Sequence, residues 1–499
     1  MKIKKLLHLT LSAVLVSAVF LTQPLSTSAE TLDDIIARQE AKTIQTNQIT
    51  NWPVGPTVTA DSAILIDANT GAILYAKDIH AKQYPASTTK ILTALIAAEK
   101  CSMDETVTFS YHAVHSNVPG GSHIAIDAGE ELTMEQSLSA ILIASANEVS
   151  FAVAEHIAGT GAWEDFIPMM NERAKELGCL NSNFVNPNGL PDENHYTTAY
   201  DMAMIGRAFF SNELLCKYAS TKVLHIPPTD KQPDDIYAAS TNEMLPGKKY
   251  PYEHLVASKT GYTDTAKSCL VSCAEKDGLK LICVVLHDYA PRQYADTIAL
   301  FDYGFANFET VNVSSVETKY NVSTSGFFYS DIEIFGSSKP FLSLNTEDCI
   351  TLPKTVDFSQ TQSVISYNTS SENTVASISY SYEGHYIGEA SVDLATDTKT
   401  TYDFERGIPA QQEPVEEEPE SGGKIIFINI IKVILWILGI AGALILLTIL
   451  VAFLRNFHFS RREPSTRTRR GWRKNRRRGK VRRPKKRAKR PSRLRDYDF

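Results

Sequence analysis

The stretch YPASTTKILTALIAAEK, residues 84–100, places a serine and a lysine three positions apart at the head of an apolar run. Its larger apolar residues recur at the spacing of one helical face: Ile91, Leu92, Leu95 and Ile96. This spacing predicts a helix over residues 87–99. A lysine three positions after a serine lies on the same helical face, so the Ser87 hydroxyl and the Lys90 amine should meet at the first turn.

That position suits a nucleophile with its own base. The first turn of a helix carries unpaired N–H groups and the positive end of the dipole, so Ser87 could use its own N–H as an oxyanion donor. Burial and the dipole lower the pKa of Lys90 and favour the neutral amine that accepts a proton. The alternative is an ordinary helix start with a solvated lysine, because Ser-x-x-Lys occurs by chance about twice in a chain this long.

A second motif, Lys259-Thr260-Gly261, stands in the strand-like run VASKTGYTD. Its chance expectation is only about 0.1 per chain of this size. We expect the motif at the end of a strand, where the lysine can bind a substrate carboxylate and the glycine allows close approach of the backbone. The alternative is a surface lysine before a turn.

A third pair, Ser145-x-Asn147, interrupts the apolar run SAILIA. The pattern itself is weak evidence, because Ser-x-Asn recurs elsewhere, for example at residues 240–242. A polar pair inside an apolar run must find hydrogen-bond partners or it costs stability. A satisfied kink between two helices is the structural alternative.

Taken in this order, the three motifs resemble the signature set of the serine penicillin-recognising enzymes. The flanking text resembles the low-molecular-mass D-alanyl-D-alanine carboxypeptidases more specifically, over about residues 58–310. The stretches concerned are SAILIDANTGAILYAKD, YPASTTKILTAL, NPNGLP, HYTTAYDMA and KTGYT. One departure is Ala146, where that family often has glycine.

The resemblance implies an acyl-transfer cycle on peptidoglycan stem peptides, and acylation by β-lactams. In it Ser87 is the nucleophile, Lys90 is the base and Ser145 relays the proton to the leaving amine. Substrate binding falls to Asn147 and to the four residues that are listed here: Lys259, Thr260, Gly261 and Tyr262. The oxyanion hole is formed by the N–H groups of Ser87 and Tyr262. The cycle needs no metal ion or organic cofactor.

The expected fold class is α/β (α+β): a penicillin-binding/transpeptidase-like domain whose antiparallel sheet is flanked by helices, then a small all-β domain and a C-terminal transmembrane helix. Early and late strands should pair, because strand-like segments stand at both ends of the helical region. The predicted segments are a signal peptide (1–29), a spacer (30–57), the catalytic domain (58–310), the β-rich domain (315–403), an acidic linker (404–424), the transmembrane helix (425–454) and a basic tail (455–499).

Charge is distributed very unevenly along the chain. The net charge of the 499 residues is −7, yet the segment 455–499 contains 21 Lys and Arg against three acidic residues. An uncharged run at 433–454 precedes this tail and is long enough to span a bilayer. By the positive-inside rule the tail is cytoplasmic and the catalytic domain is outside the cell membrane. The tail could bind anionic lipid, whereas nucleic acid is not an expected partner.

Cysteines and histidines give no metal motif. The seven cysteines include no Cys-x-x-Cys pair, and we interpret most of them as small buried hydrophobes. A Cys273–Cys283 bridge across a hairpin is left open. His112, His115 and His123 are weak ligand candidates without a further ligand at suitable spacing. We expect His195 to shape a loop near the active site.

Two other functions remain as alternatives. A class A β-lactamase needs a loop glutamate in a Glu-x-x-Leu-Asn pattern, and here Glu176 to Asn181 is one residue too long. A penicilloyl-accepting sensor would signal through the membrane span. The tail of about 45 residues has few apolar groups and could not bury a core of its own.

Overall fold

The structure is a computed structural model that describes residues 30–116, 121–320, 342–367 and 373–394. The chain divides into two compact units, residues 1–401 and 402–499, and all described residues belong to the first. Within the described residues, no helix combines the length and the apolar character that crossing a membrane requires. Four predicted segments lie outside the described residues: the signal peptide 1–29, the linker 404–424, the span 425–454 and the tail 455–499.

The described helices are α1 (Leu32–Glu40), α2 (Lys90–Lys100), α3 (Tyr111–His115), α4 (Met134–Ser139), α5 (Asn147–Ala158), α6 (Ile167–Glu176), α7 (Ala199–Phe210), α8 (Glu213–Ala219), α9 (Arg292–Asn307) and α10 (Val313–Val316). Short 3₁₀ turns occur at Gln45–Gln48, Ala86–Thr89, Trp163–Phe166 and Phe358–Gln360, and a π-helical turn at Ala140–Ala144.

The described strands of the first part of the chain are β1 (Ser62–Asp67), β2 (Ile73–Lys77), β3 (Thr106–Thr108), β4 (Glu131–Thr133), β5 (Val223–Ile226), β6 (Ile236–Ala239), β7 (Leu255–Thr263), β8 (Lys267–Lys276) and β9 (Leu279–Asp288). Those that follow are β10 (Phe308–Asn312), β11 (Leu342–Leu344), β12 (Cys349–Pro353), β13 (Gln362–Ser366), β14 (Thr374–Tyr382) and β15 (His385–Leu394).

The central sheet joins the two ends of the catalytic region. Its described strands run in the order β2-β1-β9-β8-β7, and every neighbouring pair is antiparallel. Early β1 pairs with late β9, with Leu65 opposite Cys283. The prediction that late strands complete a sheet begun by early ones is confirmed.

The central sheet is buried on both faces, which explains why β1 is apolar without alternation from residue 63 to residue 66. Ile64 and Ile66 belong to the core on the side of α2 and α5. The alternate residue Leu65 belongs to a second core, together with Phe301 of α9. Successive side chains of a strand point to opposite faces, so a strand covered on both sides reads as a continuous apolar run.

Two hairpins in this sheet follow from local turn chemistry. Asp277 and Gly278 join β8 to β9, and both have positive φ (51° and 82°), as the tightest hairpin turns require. The β1–β2 turn is stabilised by Asp67, whose carboxylate accepts the backbone N–H of Asn69 at 2.7 Å. An aspartate that bonds its own turn in this way is typical of such connections.

A second sheet has the described order β10-β12-β15-β14-β13, with β11 on β15. It begins at Phe308, directly after α9, and it packs within the second core. Within the predicted β-rich domain, the strand-like stretch GFFYSDIEIF at 326–335 lies outside the described residues. Helices together with antiparallel sheets confirm the mixed α/β class.

All seven cysteines are free. Cys273 pairs with Ile282 across the β8–β9 hairpin, while Cys283 pairs with Ser272. Directly opposed residues share a face of the sheet and adjacent residues do not, so Cys273 and Cys283 point to opposite faces. Geometry therefore excludes the bridge that the sequence left open.

Candidate active site

Lys90 lies under Ser87 at the start of α2. The Lys90 Nζ atom is 3.0 Å from Ser87 Oγ, 2.7 Å from Asn147 Oδ1 and 2.7 Å from the carbonyl oxygen of Asn188. The Lys90 side chain is fully buried, whereas Ser87 is half-buried at the surface of a cleft. The 3₁₀ turn at 86–89 leads into α2 and puts the two side chains on one face, as their spacing predicted.

The environment of Lys90 favours the neutral amine. Burial is the main cause that lowers its pKa well below 10.5, and the nearby charge of Lys259 adds to the effect. Glu148 acts in the opposite direction but does not offset the burial. Lys90 therefore has the electrostatic character of a base.

Ser145 enters the site because the helical path breaks there. The π-helical turn ends at Ala144, and Ser145 takes a left-handed conformation with φ 60° and ψ 30° before α5 starts at Asn147. A non-glycine residue held in this region is strained, and such strain recurs at functional sites. The polar pair is satisfied, since Ser145 Oγ lies 2.9 Å from Lys259 Nζ and Asn147 Oδ1 bonds Lys90.

Lys259 reaches the site from β7. Besides Ser145, its amine donates to the carbonyl oxygen of Thr260 at 2.9 Å, and its side chain is buried. Burial lowers the pKa of Lys259 to about 7. The sequence suggested that the motif ends a strand, and this was wrong. β7 continues past the motif to Thr263, and the motif itself pairs with β8. The motif is therefore held inside the ladder of the sheet.

The other residues of this motif form the edge of the cleft. Thr260 Oγ1 lies 2.8 Å from Thr241 Oγ1. A Cβ atom on Gly261 would lie 3.0 Å from both the Pro85 carbonyl oxygen and the Ser87 nitrogen, so only glycine lets the strand approach Ser87 this closely. Tyr262 is 61% exposed at the rim, and its hydroxyl donates to Asp264 at 3.2 Å.

The loop at 186–190 completes the site, although the three sequence motifs predict no role for it. The carbonyl oxygen of Asn188 accepts a hydrogen bond from Lys90. Gly189 has φ +87°, and a Cβ there would lie 1.8 Å from the Ala86 carbonyl oxygen. Asn186 shapes the turn by accepting the N–H of Gly189 at 2.7 Å. The turn-forming sequence Asn-Pro-Asn-Gly at 186–189 was the feature that could have indicated this loop.

His195 has a structural role beside the site, and His112 lies away from it. His195 is buried, and its ring bonds Thr89 Oγ1 at 2.8 Å and the N–H of Val185 at 3.1 Å, which links the loop to the start of α2. Burial lowers the pKa of His195 to about 4, so the ring is neutral at physiological pH. His112 lies 3.2 Å from Glu155 at the surface, away from the cleft.

The predicted residues converge on one cleft of about 770 Å³. Six of the eight predicted site residues line it: Ser87, Ser145, Asn147, Thr260, Gly261 and Tyr262. Lys90 and Lys259 lie beneath its surface and contact it through Ser87 and Ser145. The arrangement places a hydroxyl against a buried amine, with a second amine and a second hydroxyl beside them. These are the functional groups that nucleophilic acyl transfer requires.

Comparison with known proteins identifies the family. The model of the D-alanyl-D-alanine carboxypeptidase family matches residues 47–290. The D-alanyl-D-alanine carboxypeptidase DacA of Haemophilus influenzae is 31% identical over 284 residues, which cover 55% of this chain and 69% of that protein. The chain belongs to the D-alanyl-D-alanine carboxypeptidase family. The carboxypeptidase DacF of Bacillus subtilis is 39% identical over 258 residues, and the chain spans 63% of its length.

The carboxypeptidase fold is also found among solved structures. Penicillin binding protein 5 from Haemophilus influenzae aligns with a TM-score of 0.54 and 26% identity, over 68% of this chain and 98% of that one. Penicillin binding protein 6B from Escherichia coli, at 23% identity and a TM-score of 0.51, shares the fold. This likeness agrees with the penicillin-binding/transpeptidase-like fold that the motifs implied.

Proposed function

We propose that this carboxypeptidase removes the terminal D-alanine from peptidoglycan stem pentapeptides through an acyl-enzyme on Ser87. The proposal agrees with the family to which the chain belongs. The observation that carries it is the contact of 3.0 Å between the buried Lys90 amine and the Ser87 hydroxyl, in a cleft that also contains Ser145 and the Lys259 motif.

The hydrogen bonds of Lys90 support its assignment as the base. A neutral amine has two N–H donors and one lone pair. The carbonyl oxygens of Asn188 and of the Asn147 side chain can only accept, and both lie 2.7 Å from Nζ. They occupy the two N–H groups of the neutral amine. The lone pair is then left for the hydroxyl hydrogen of Ser87.

Acylation then follows from these positions. Ser87 Oγ attacks the carbonyl carbon between the two D-alanines, and its proton passes to Lys90. The N–H groups of Ser87 and Tyr262 would stabilise the oxyanion. The C–N bond breaks as Ser145 relays a proton to the leaving amine, and water later hydrolyses the ester on Ser87.

Lys259 and Thr260 would bind the terminal carboxylate. A charged Lys259 beside a carboxylate forms the stronger, charge-assisted type of hydrogen bond. The threonine hydroxyl is held in place by Thr241 at 2.8 Å. Substrate binding would also raise the pKa of Lys259, because an opposite charge favours the protonated amine.

The β-lactamase alternative finds no support at this site. Among the described residues that line the cleft there is no glutamate. Glu176, which the sequence offered as a distant match to the deacylating base, ends α6 and bonds Arg173 at 2.9 Å on the surface. Without such a base we expect β-lactams to acylate Ser87 and to be released slowly.

One assay tests the proposed reaction. The full chain is incubated with a peptide that ends in D-Ala-D-Ala, and free D-alanine is measured, with Ser87→Ala as the control. A fluorescent penicillin should label the parent covalently and leave Ser87→Ala unlabelled. Release of D-alanine by Ser87→Ala at the parent rate would refute the mechanism.

The placement of the protein is part of the proposal. A signal peptide at 1–29, a span at 425–454 and a cytoplasmic basic tail would put the catalytic domain outside the cell membrane, near peptidoglycan. Anionic lipids could bind the tail. Deleting residues 456–499 should leave the hydrolysis rate unchanged and weaken membrane retention or correct orientation. An unchanged location and orientation would contradict a role for the tail.

A further inference from the structure

A cluster of three ligand-type side chains lies outside the cleft. The Sγ of Cys101, a carboxylate oxygen of Glu105 and a ring nitrogen of His156 all lie within 4.8 Å of one another. Among the described residues, this is the one group of three such side chains that meets this spacing. The His156 and Glu105 side chains are 25% and 41% exposed, so an ion from solvent can reach them.

The cluster joins the far ends of the two helices that begin at the active site. Cys101 directly follows α2, whose first residue is Lys90. His156 lies in the last turn of α5, whose first residue is Asn147. Helix C-termini carry partial negative charge, so both helix ends favour a cation here.

Two of the three groups are already held together. Glu105 Oε2 lies 2.8 Å from His156 Nε2, and Glu105 Oε1 accepts the N–H of Ser102 at 2.6 Å. The backbone N–H of Glu105 in turn bonds the Ser102 carbonyl oxygen at 3.2 Å, which closes the loop between α2 and β3. The carboxylate is therefore oriented toward the imidazole by its own loop, and this lowers the cost of ordering a metal site.

We propose that Cys101, Glu105 and His156 bind a zinc ion, with water as the fourth ligand. Thiolate, imidazole and carboxylate are the ligand set that zinc prefers, at distances of about 2.0–2.3 Å. Around a tetrahedral ion such ligand atoms lie roughly 3.3–3.7 Å apart, so only small shifts from the present spacing are needed.

Zinc binding displaces protons from two of the ligands. The Cys101 thiol releases its proton to solvent. The hydrogen at His156 Nε2 also leaves to solvent, and the neutral imidazole then carries its one hydrogen on Nδ1, so that Nε2 can bind the metal. The ion replaces the hydrogen now shared between Glu105 and His156. Since no cleft residue is a ligand, the ion stabilises the packing of α2 against α5 and takes no part in acyl transfer.

The test uses the metal-free full chain titrated with zinc against a chromophoric chelator, and with cobalt to reveal thiolate-to-metal absorption. We expect Cys101→Ser to lose the thiolate absorption and to weaken zinc binding at least about tenfold. Cys179→Ser is the matched control, because Cys179 is also half-buried but belongs to no such cluster among the described residues. It should bind zinc as the parent does.

Two results would overturn the site: equal zinc affinity of the parent and Cys101→Ser, or an equal loss in Cys179→Ser. Zinc should also raise the Tm of the parent and not that of Cys101→Ser, because a ligand that binds only the folded state stabilises it. Ser87→Ala should keep the parent's zinc binding. Failure of the zinc titration is thus separate from failure of the hydrolysis assay.

Discussion

At the scale of single residues, the proposed chemistry depends on two buried lysines with different tasks. Burial and the Lys259 charge both lower the pKa of Lys90 well below its usual value, so its neutral amine is favoured. The pKa of Lys259 is lowered to about 7 by burial alone, so a large fraction stays protonated near neutral pH. One amine is therefore available as a base while the other can bind an anion, although the two residue types are identical.

Replacing Lys90 tests its proposed role as the base. Lys90→Met should slow acylation by a fluorescent penicillin by about 10²–10⁴-fold, because the Ser87 proton then has no acceptor. The rate is measured by timed quenching and gel fluorescence. Lys100→Met, at the exposed far end of the same helix, is the control. Thermal unfolding of both variants separates lost chemistry from lost folding, and a Lys90→Met rate within tenfold of the parent would refute the assignment.

The proposed role of Lys259, binding of the substrate carboxylate, predicts how activity depends on pH. Lys259 must be protonated to bind a carboxylate, and its pKa of about 7 means that the charged fraction falls as pH rises above 7. Lys90 must be neutral, so activity falls as pH drops below its own depressed pKa. We expect kcat/KM for a D-Ala-D-Ala peptide to be bell-shaped, with the alkaline limb near pH 7.

Lys259→Arg should remove the alkaline limb whatever its absolute rate, since arginine stays charged throughout this range. A parent profile that is flat from pH 7 to pH 10 would show that Lys259 is not the titrating group. The pKa values read from the two limbs are apparent values that belong to the interacting pair of Lys90 and Lys259.

At the scale of elements, close backbone approach positions Ser87, the proposed nucleophile. The 3₁₀ turn that contains Ser87 lies between the loop glycine Gly189 and the strand glycine Gly261, and both contact the backbone of residues 85–88. Side chains at either glycine would push these elements apart. The position of Ser87 is thus set by a loop and a strand that are remote in sequence.

A glycine pair isolates this effect. Gly189 and Gly178 both have positive φ, at +87° and +86°, but an added Cβ meets the Ala86 carbonyl oxygen only at Gly189. Gly178→Ala should cost about 1 kcal/mol of unfolding free energy from backbone strain. Gly189→Ala should cost about 2–5 kcal/mol, since overpacking adds to the strain.

Urea denaturation measures both variants, and penicillin labelling measures the shift of Ser87. Only Gly189→Ala should acylate more slowly than the parent while still folded. If both variants lose the same unfolding free energy, the contact between the added Cβ and the Ala86 carbonyl oxygen does not destabilise the protein.

At the scale of the whole molecule, buried and partly buried hydrogen bonds join the second sheet to the central sheet. Thr351 of β12 donates to Asp67 at 2.6 Å and lies 2.9 Å from Thr70 in the β1–β2 turn. His385 of β15 lies 2.6 Å from the carbonyl oxygen of Ile73. These contacts lie on the side of the sheet that is opposite the core of α2, so they support stability rather than chemistry.

Thr351→Val tests this separation. The buried Asp67 would lose a hydrogen-bond donor, at a cost of about 1–3 kcal/mol in unfolding free energy. The acylation rate of the folded protein should not change. Thr355→Val, an exposed change in the same part of the chain, should leave both quantities near the parent values. A marked slowing of acylation in Thr351→Val would show that the second sheet acts on the active site.

Local patterns in the sequence were enough for much of this description. Helical spacing located α2, and the strand-like runs SAILID and KSCLVSCAEKDGLKLICVVLHD indicate β1 and the β8–β9 hairpin, because burial on one or both faces leaves a direct trace in residue order. The Ser87–Lys90 contact also needed no tertiary information, since three helical positions bring those two side chains together.

What only the tertiary structure decided are the contacts between distant segments. It brought Ser145 to Lys259, set the Asn188 carbonyl oxygen against Lys90, and grouped Cys101, Glu105 and His156. It also placed Lys259 inside a strand and pointed Cys273 and Cys283 to opposite faces. The physical reason is that local preferences act over a few residues, whereas these contacts form when whole elements pack, and their geometry depends on many side chains at once.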